Sequence, residues 1–178
     1  MKHDNNNVIV TIDEARDDQE EIFPYDPTKA DIDIREIPLS IFDLIRKYND
    51  GRLFINSDFP HNLTWDLEQK SRFIESVILN YPLPSFFVQE TREGKYMIVD
   101  GMQRVMALDE FVCNEFELTG LNALTHLNGE CFSTLKAMFG AYQTKIEDKK
   151  VYLYVLRPSL PRKVICDLLS RINQRQSI

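Results

Sequence analysis

The residues with the clearest chemical potential stand together in the stretch KYMIVDGMQRVMAL, Lys95 to Leu108, where Asp100, Gly101, Gln103 and Arg104 separate two apolar runs. Tyr96, Met97, Ile98 and Val99 are β-prone, whereas Val105, Leu108, Phe111 and Val112 recur at helical spacing. The polar group therefore falls where a buried strand becomes a helix. Asp100 is of the type that caps a helix, and Gly101 permits a tight turn or the close approach of a ligand. A helix start of this kind presents free N–H groups and the positive end of the helix dipole, which suit an anion such as a phosphate. Arg104, one turn in, adds a forked cationic donor. The same residues also fit a plainer arrangement, a capped helix whose Arg104 pairs with a neighbouring acid.

Several elements must hold this turn in place. "DIDIREIPL" reads as a strand, followed by a helix that Ser40 can cap, with Ile41, Leu44, Ile45 and Tyr48 on one face and an end at Asn49-Asp50-Gly51. "RLFI" is a second short strand. Trp65, Phe73, Ile74, Val77 and Ile78 mark the stripe of a longer helix, with Asp66 and Glu68 near its start and Pro82 and Pro84 beyond its end. "SFFVQE" and "KYMIV" form a hairpin through Arg92-Glu93-Gly94. The helix after Asp100 runs to about Val112, "CFSTLKAMFGAY" is one further helix, and "KKVYLYVL" is a strand. A last helix covers Pro161 to about Arg175, with Val164, Ile165, Leu168, Leu169 and Ile172 inward. The class is mixed α/β (α+β), a small mixed sheet partly covered by helices.

With 178 residues, 43% of them hydrophobic, the chain suits one domain with a proper core. Residues 1–30 read as an acidic flexible arm and 31–178 as the folded domain. No run approaches the roughly 18 apolar residues of a membrane span, and "MKHDNNN" lacks the apolar core of a secretion signal, so a cytoplasmic protein is expected. Cys113, Cys131 and Cys166 and the three histidines, His3, His61 and His126, have no metal-type spacing. A metal centre built from them is not expected.

The net charge of -7 is unevenly spread. From Thr11 to Asp33 nine acids face two bases, whereas from Lys136 to Ile178 nine bases face three acids. The basic C-terminal segment can face phosphates or simply be a solvated helix. Within it Arg171 and Asn173 lie beside the apolar stripe, where they can point into a cleft, and Arg171 and Arg175 share a side of the helix. Surface solubility is the plainer account of them.

Taken in order, the blocks FPHNLTW, KSRFIESVILNYPLPSFFV, YMIVDGMQRVMALDEF and LSRIN resemble the ParB/sulfiredoxin-like DGQQR domain found at the N-terminus of GmrSD-type restriction endonucleases and related phage-defence proteins. The resemblance spans roughly Ile34 to Asn173. It implies a domain that binds and hydrolyses nucleoside triphosphates, coupled to DNA restriction by a separate nuclease domain or partner. Asp100, Gly101, Gln103 and Arg104 fall on the motif, and Arg171 and Asn173 on the terminal Arg-x-Asn. The implied roles follow from chemistry. Arg104 and Arg171 would neutralise phosphate, Gly101 would let amides approach it, Asp100 would orient water or hold Mg²⁺, and Gln103 would position the attacking water.

Two departures from the family pattern stand out, Met102 within the motif and Phe59-Pro60-His61 where the upstream block is usually Phe-Gln-Arg. Met102 replaces a glutamine and is harmless if it packs into the core. His61 stands where an arginine is usual and either donates to phosphate when protonated or sits in a loop. The family's nuclease domain carries its own His-rich metal site. No such cluster occurs here, and the sequence ends just after LSRIN, so this chain is expected to work with a separate nuclease and not to cut DNA alone. Other readings are a non-catalytic ParB-like nucleic-acid-binding module, using the basic segment, and a degenerate scaffold.

Overall fold

Ser40 shows how local chemistry divides the chain. It ends strand β1 (Ile34–Ser40), and its hydroxyl accepts a 3.0 Å hydrogen bond from the backbone N–H of Asp43, capping helix α1 (Ile41–Asn49). Strand β2 (Leu53–Ile55) follows. Helix α2 (Leu67–Ile78) starts at a reciprocal cap, in which Asp66 accepts from the Gln69 backbone and Gln69 accepts from the Asp66 backbone. Strands β3 (Phe86–Glu90) and β4 (Tyr96–Asp100) form the expected hairpin, and helix α3 (Met102–Val112) leaves it directly. The rest comprises α4 (Phe132–Met138), α5 (Gly140–Glu147), β5 (Lys150–Leu156) and α6 (Arg162–Asn173).

The computed structural model describes residues 33–55, 64–138 and 140–173. They belong to one compact unit, Asp31–Ile178. The acidic segment 1–30, His61 and Arg175 lie outside the described residues. One helix expected around "CFSTLKAMFGAY" is instead two, α4 and α5, divided ahead of Gly140, a residue type second only to proline in disfavouring a helix interior.

The five strands form one mixed sheet in the order β1-β5-β3-β4-β2. β5 runs antiparallel to β1 and parallel to β3, and β4 runs antiparallel to β3 and parallel to β2. Pleating sorts the side chains. Phe86, Val88, Ile98, Val151, Leu153 and Val155 enter the main core with Ile41 and Leu44 of α1, Ile74 and Val77 of α2, and Val105 and Leu108 of α3. Phe87 and Leu156 alternate to the other side, where Val164 and Ile165 of α6 are the remaining buried apolar residues. Leu168, Leu169 and Ile172, expected inward, are only half-buried. The class is therefore mixed α/β, as expected.

One buried carboxylate organises the long connection after α3. Glu75 on α2 is only 6% exposed, and it accepts backbone hydrogen bonds from Asn122 (3.3 Å), Ala123 (2.7 Å) and Leu124 (2.8 Å). Burial by itself raises its pKa, but the three amides and Arg72 outweigh that and hold the carboxyl below its ordinary range. Because the folded-state pKa is depressed, this stabilisation is present above the unfolded carboxylate pKa and is lost as pH falls through the folded one. Glu75→Gln should lower stability by about 1.5–3 kcal/mol near neutral pH. Urea denaturation of both proteins should show the gap narrowing on acidification.

Candidate functional site

The strand-to-helix junction is built by a bulge. Val88 pairs with Ile98, but the next residue, Phe87, pairs with Asp100, so Val99 is the extra residue. Bulges of this kind re-aim side chains beside functional sites. Here the bulge sets Asp100 in register with Phe87, one step from its regular place. The expected helix cap does not form. Asp100 stays in β4, and the N-cap is Gly101, at φ 97° in the left-handed region, with no side-chain cap on α3. The reason is competition, because the Asp100 carboxylate is taken by Arg104 one turn on, at 2.8 Å from Nη2.

Arg104 is largely buried, at 9% exposure. Its Nη1 donates to the carbonyls of Pro84 and Ser85, and its Nη2 to Ser85 and Asp100. The guanidinium also lies 4.6 Å from the centroid of the Phe86 ring. Burial lowers its pKa, while the charge and hydrogen bond of Asp100 oppose that shift. It remains a cation, since a guanidinium does not lose its proton in proteins. The plainer arrangement foreseen for this turn, Arg104 paired with a neighbouring acid, is thus the geometry observed.

Gly101 leaves no room for a side chain. A Cβ there would come within 2.6 Å of Phe86 Cδ1 and 3.0 Å of Arg104 Nη2. Gln103 uses its side-chain oxygen to accept from the backbone N–H of Trp65 at 3.1 Å, which ties the segment before α2 to the first turn of α3. Its amide NH₂ is left as a donor. Met102 packs against the main core.

The C-terminal residues do not join this cluster by any hydrogen bond or ion pair among the described residues. Arg171 is exposed and pairs with Asp167 on its own helix at 3.1 Å. Asn173 is the last residue of α6, and its side chain lies outside the described parts. Phe86, the Trp65 N–H and the carbonyls of Pro84 and Ser85 were not singled out by sequence as parts of the site. Backbone donors and acceptors carry no residue-type signal, so nothing local marks the last three.

A family model described as the GmrSD restriction endonuclease, N-terminal domain, matches residues 41–176. The chain belongs to that family. The match runs from the first residue of α1 past the end of α6 and includes the whole junction. Membership associates this GmrSD N-terminal domain with restriction, and so with DNA and a nuclease domain. No curated protein matches the chain. Among the described residues, no helix is long and apolar enough to cross a membrane.

The close contact at Gly101 supplies a test of the junction. Gly101→Ala should cost about 1–2 kcal/mol from the left-handed backbone alone. The collision with Phe86 and Arg104 adds to that cost. Thermal unfolding should show a Tm several degrees lower, whereas Gly94→Ala, at a turn with open space around it, should show the backbone cost only.

Proposed function

We propose that this domain binds a nucleoside triphosphate at the β4–α3 junction, as the regulatory part of a restriction or phage-defence system acting with a separate nuclease domain or partner. The observation that carries this reading is the start of α3, a left-handed Gly101 leading into a helix with no side-chain cap. A left-handed residue followed by helical ones turns successive N–H groups toward one point, a concavity suited to phosphate oxygens. The junction also lies at the carboxyl ends of the parallel strands β2 and β4, where α/β sheets commonly take ligands.

The roles differ from residue to residue. The amides that follow Gly101 receive phosphate oxygens. Arg104 neutralises phosphate charge, and to do so its Nη2 exchanges the Asp100 carboxylate for a phosphate oxygen. Asp100 is then released to hold Mg²⁺, an ion commonly bound through one or two carboxylates with phosphate and water supplying the rest. When bound, the ion would neutralise charge on the phosphates. Gln103 has only its NH₂ to offer, so it orients an attacking water as a donor and does not accept that water's proton. In hydrolysis the water oxygen bonds to the γ-phosphorus, the bond from that phosphorus to the β-bridging oxygen breaks, and the proton passes to solvent. Arg171, Asn173 and His61 complete the phosphate environment in this reading, with Arg171 leaving Asp167.

A second reading rests on the same bonds of Arg104. A guanidinium 9% exposed and donating to three residues is also a purely structural pin, which would leave a degenerate scaffold or a module that binds nucleic acid through the basic C-terminal segment.

Calorimetric titration with ATP, GTP, CTP and UTP, with and without Mg²⁺, separates these readings. Arg104→Ala should weaken nucleotide binding roughly ten- to a hundredfold, the equivalent of about 1.5–3 kcal/mol for a lost charge-assisted bond. Asp100→Ala should keep binding but lose its response to Mg²⁺, together with phosphate release. No binding of any nucleotide by the folded wild-type protein would sink the proposal. DNA affinity falling steeply with salt would then favour the nucleic-acid module.

A further inference from the structure

Phe42 is a large apolar side chain that the protein's own core does not take. Helix α1 turns Ile41, Leu44 and Ile45 into the core and leaves Phe42 beside that stripe at 55% exposure. One exposed aromatic residue on a helix is ordinary and needs no explanation. Its surroundings are not ordinary. Phe42 lines an open hollow of about 300 Å³ between α1, α5 and the last turn of α3, in which the buried Ile41, Ile45 and Ile146 form the floor.

Helical spacing accounts for the character of this hollow. Phe42, Ile45, Arg46 and Asn49 fall at i, i+3, i+4 and i+7, so they make one strip along α1, apolar first and polar after. Opposite them, α5 supplies Ile146 and Glu147. The rim therefore carries one cation, Arg46, and two acids, Glu147 and Asp50, around an apolar floor. Within the chain Arg46 pairs with Asp43 of its own helix at 2.9 Å, and Glu147 accepts from Gln143 at 2.8 Å. The Arg46–Asp43 pair is exposed, and exposed pairs contribute little, so exchanging it for a pair across an interface costs little.

A hollow of this volume lies at the bottom of the roughly 300–1,000 Å³ range of small-molecule pockets, and none of its polar lining residues is buried to orient a small ligand. An apolar side chain from a protein surface fits it better. The same patch holds both halves of such a contact, an aromatic knob and an apolar hollow, together with both signs of charge. A two-fold interface needs this combination, because it brings one patch against itself, so that residue i meets j and j meets i. We infer that this face binds a second copy of the chain about a two-fold axis, with Phe42 of each copy entering the hollow of the other and Arg46 exchanging Asp43 for Glu147 across the interface. Aromatic anchors seated in pockets, and arginines, dominate the energetics of such contacts. Nine residues line the hollow, whereas a standard interface takes about 20–30 a side, so a weak dimer that forms with rising concentration is expected. The hollow meets α3 at Val112, the opposite end of that helix from Gly101, so this contact does not rest on the nucleotide reading.

Sedimentation equilibrium of the full chain from micromolar to millimolar concentration should show the mass rising from one chain toward two. Phe42→Glu should hold it at one. Arg46→Glu should weaken association roughly tenfold or more by setting like charges against each other across the axis, and adding Glu147→Arg should bring it back toward the wild type. That rescue separates pairing between copies from a general effect of surface charge. Because Phe42 and Arg46 are exposed, both single variants should melt like the wild type in dilute solution. A wild-type chain that stays monomeric over the whole range overturns the inference and leaves the hollow to a different protein. A dimer that Phe42→Glu leaves intact also overturns it, since the contact then lies on another face. An Arg46→Glu defect that Glu147→Arg does not relieve overturns the pairing of these two residues across the axis.

Discussion

The burial of one guanidinium is the constraint on which the junction depends. Arg104 reaches the carbonyls that lead into β3, the carboxylate that ends β4, and the face of Phe86 in the core, all from the first turn of α3. A cation taken out of water is tolerated only where its donors are satisfied, and each of these partners is a donor satisfied. The start of β3 and the end of β4 are thereby fixed to one planar group. The rigidity has a second effect. Gly101 must keep its left-handed conformation, because no side chain fits between Phe86 and the guanidinium, and so the amides that follow it are aimed before any ligand arrives.

Much of this was readable from the chain. The hairpin, the strand-to-helix change at Asp100 and Gly101, the Ser40 cap and the start of α2 near Asp66 follow from residue type and local spacing, and each is present. What sequence misjudged has a common physical source in longer-range competition. Asp100 has the right chemistry for a cap, yet an arginine one turn away outbids the backbone for its carboxylate. The bulge at Val99 leaves no mark, since Val99 is as β-prone as its neighbours. The inward stripe of α6 holds at Val164 and Ile165 and weakens afterwards, because periodicity says which side of a helix is apolar but not how far a partner surface extends. Arg171 kept its local partner, Asp167, for the same reason that sequence gave it a solvent-facing alternative.

Family membership and geometry bear on different scales of the same question. Membership associates the domain with restriction, and in the reading proposed above the junction is the part through which it would contribute. A site in which an arginine and an aspartate hold one another suits a sensor. In the reading proposed above, a ligand would displace that ion pair by offering Arg104 a phosphate and Asp100 a cation.

The order of the strands has a consequence for how the protein comes into being. β5 is the last strand in the sequence but stands second in the sheet, between β1 and β3. During synthesis β1 cannot begin pairing with β5 until Lys150, the partner of Ser40, has left the ribosome, and the pairing is complete only with Leu156, the partner of Ile34. The hairpin and α3 can assemble early from local contacts, but the sheet that supports them closes only with the last third of the chain. Folding governed by such distant pairings is slow, and its unpaired strands stay open to wrong partners in the interval. A domain of this topology, made ahead of any C-terminal nuclease domain, is therefore completed late relative to its own length.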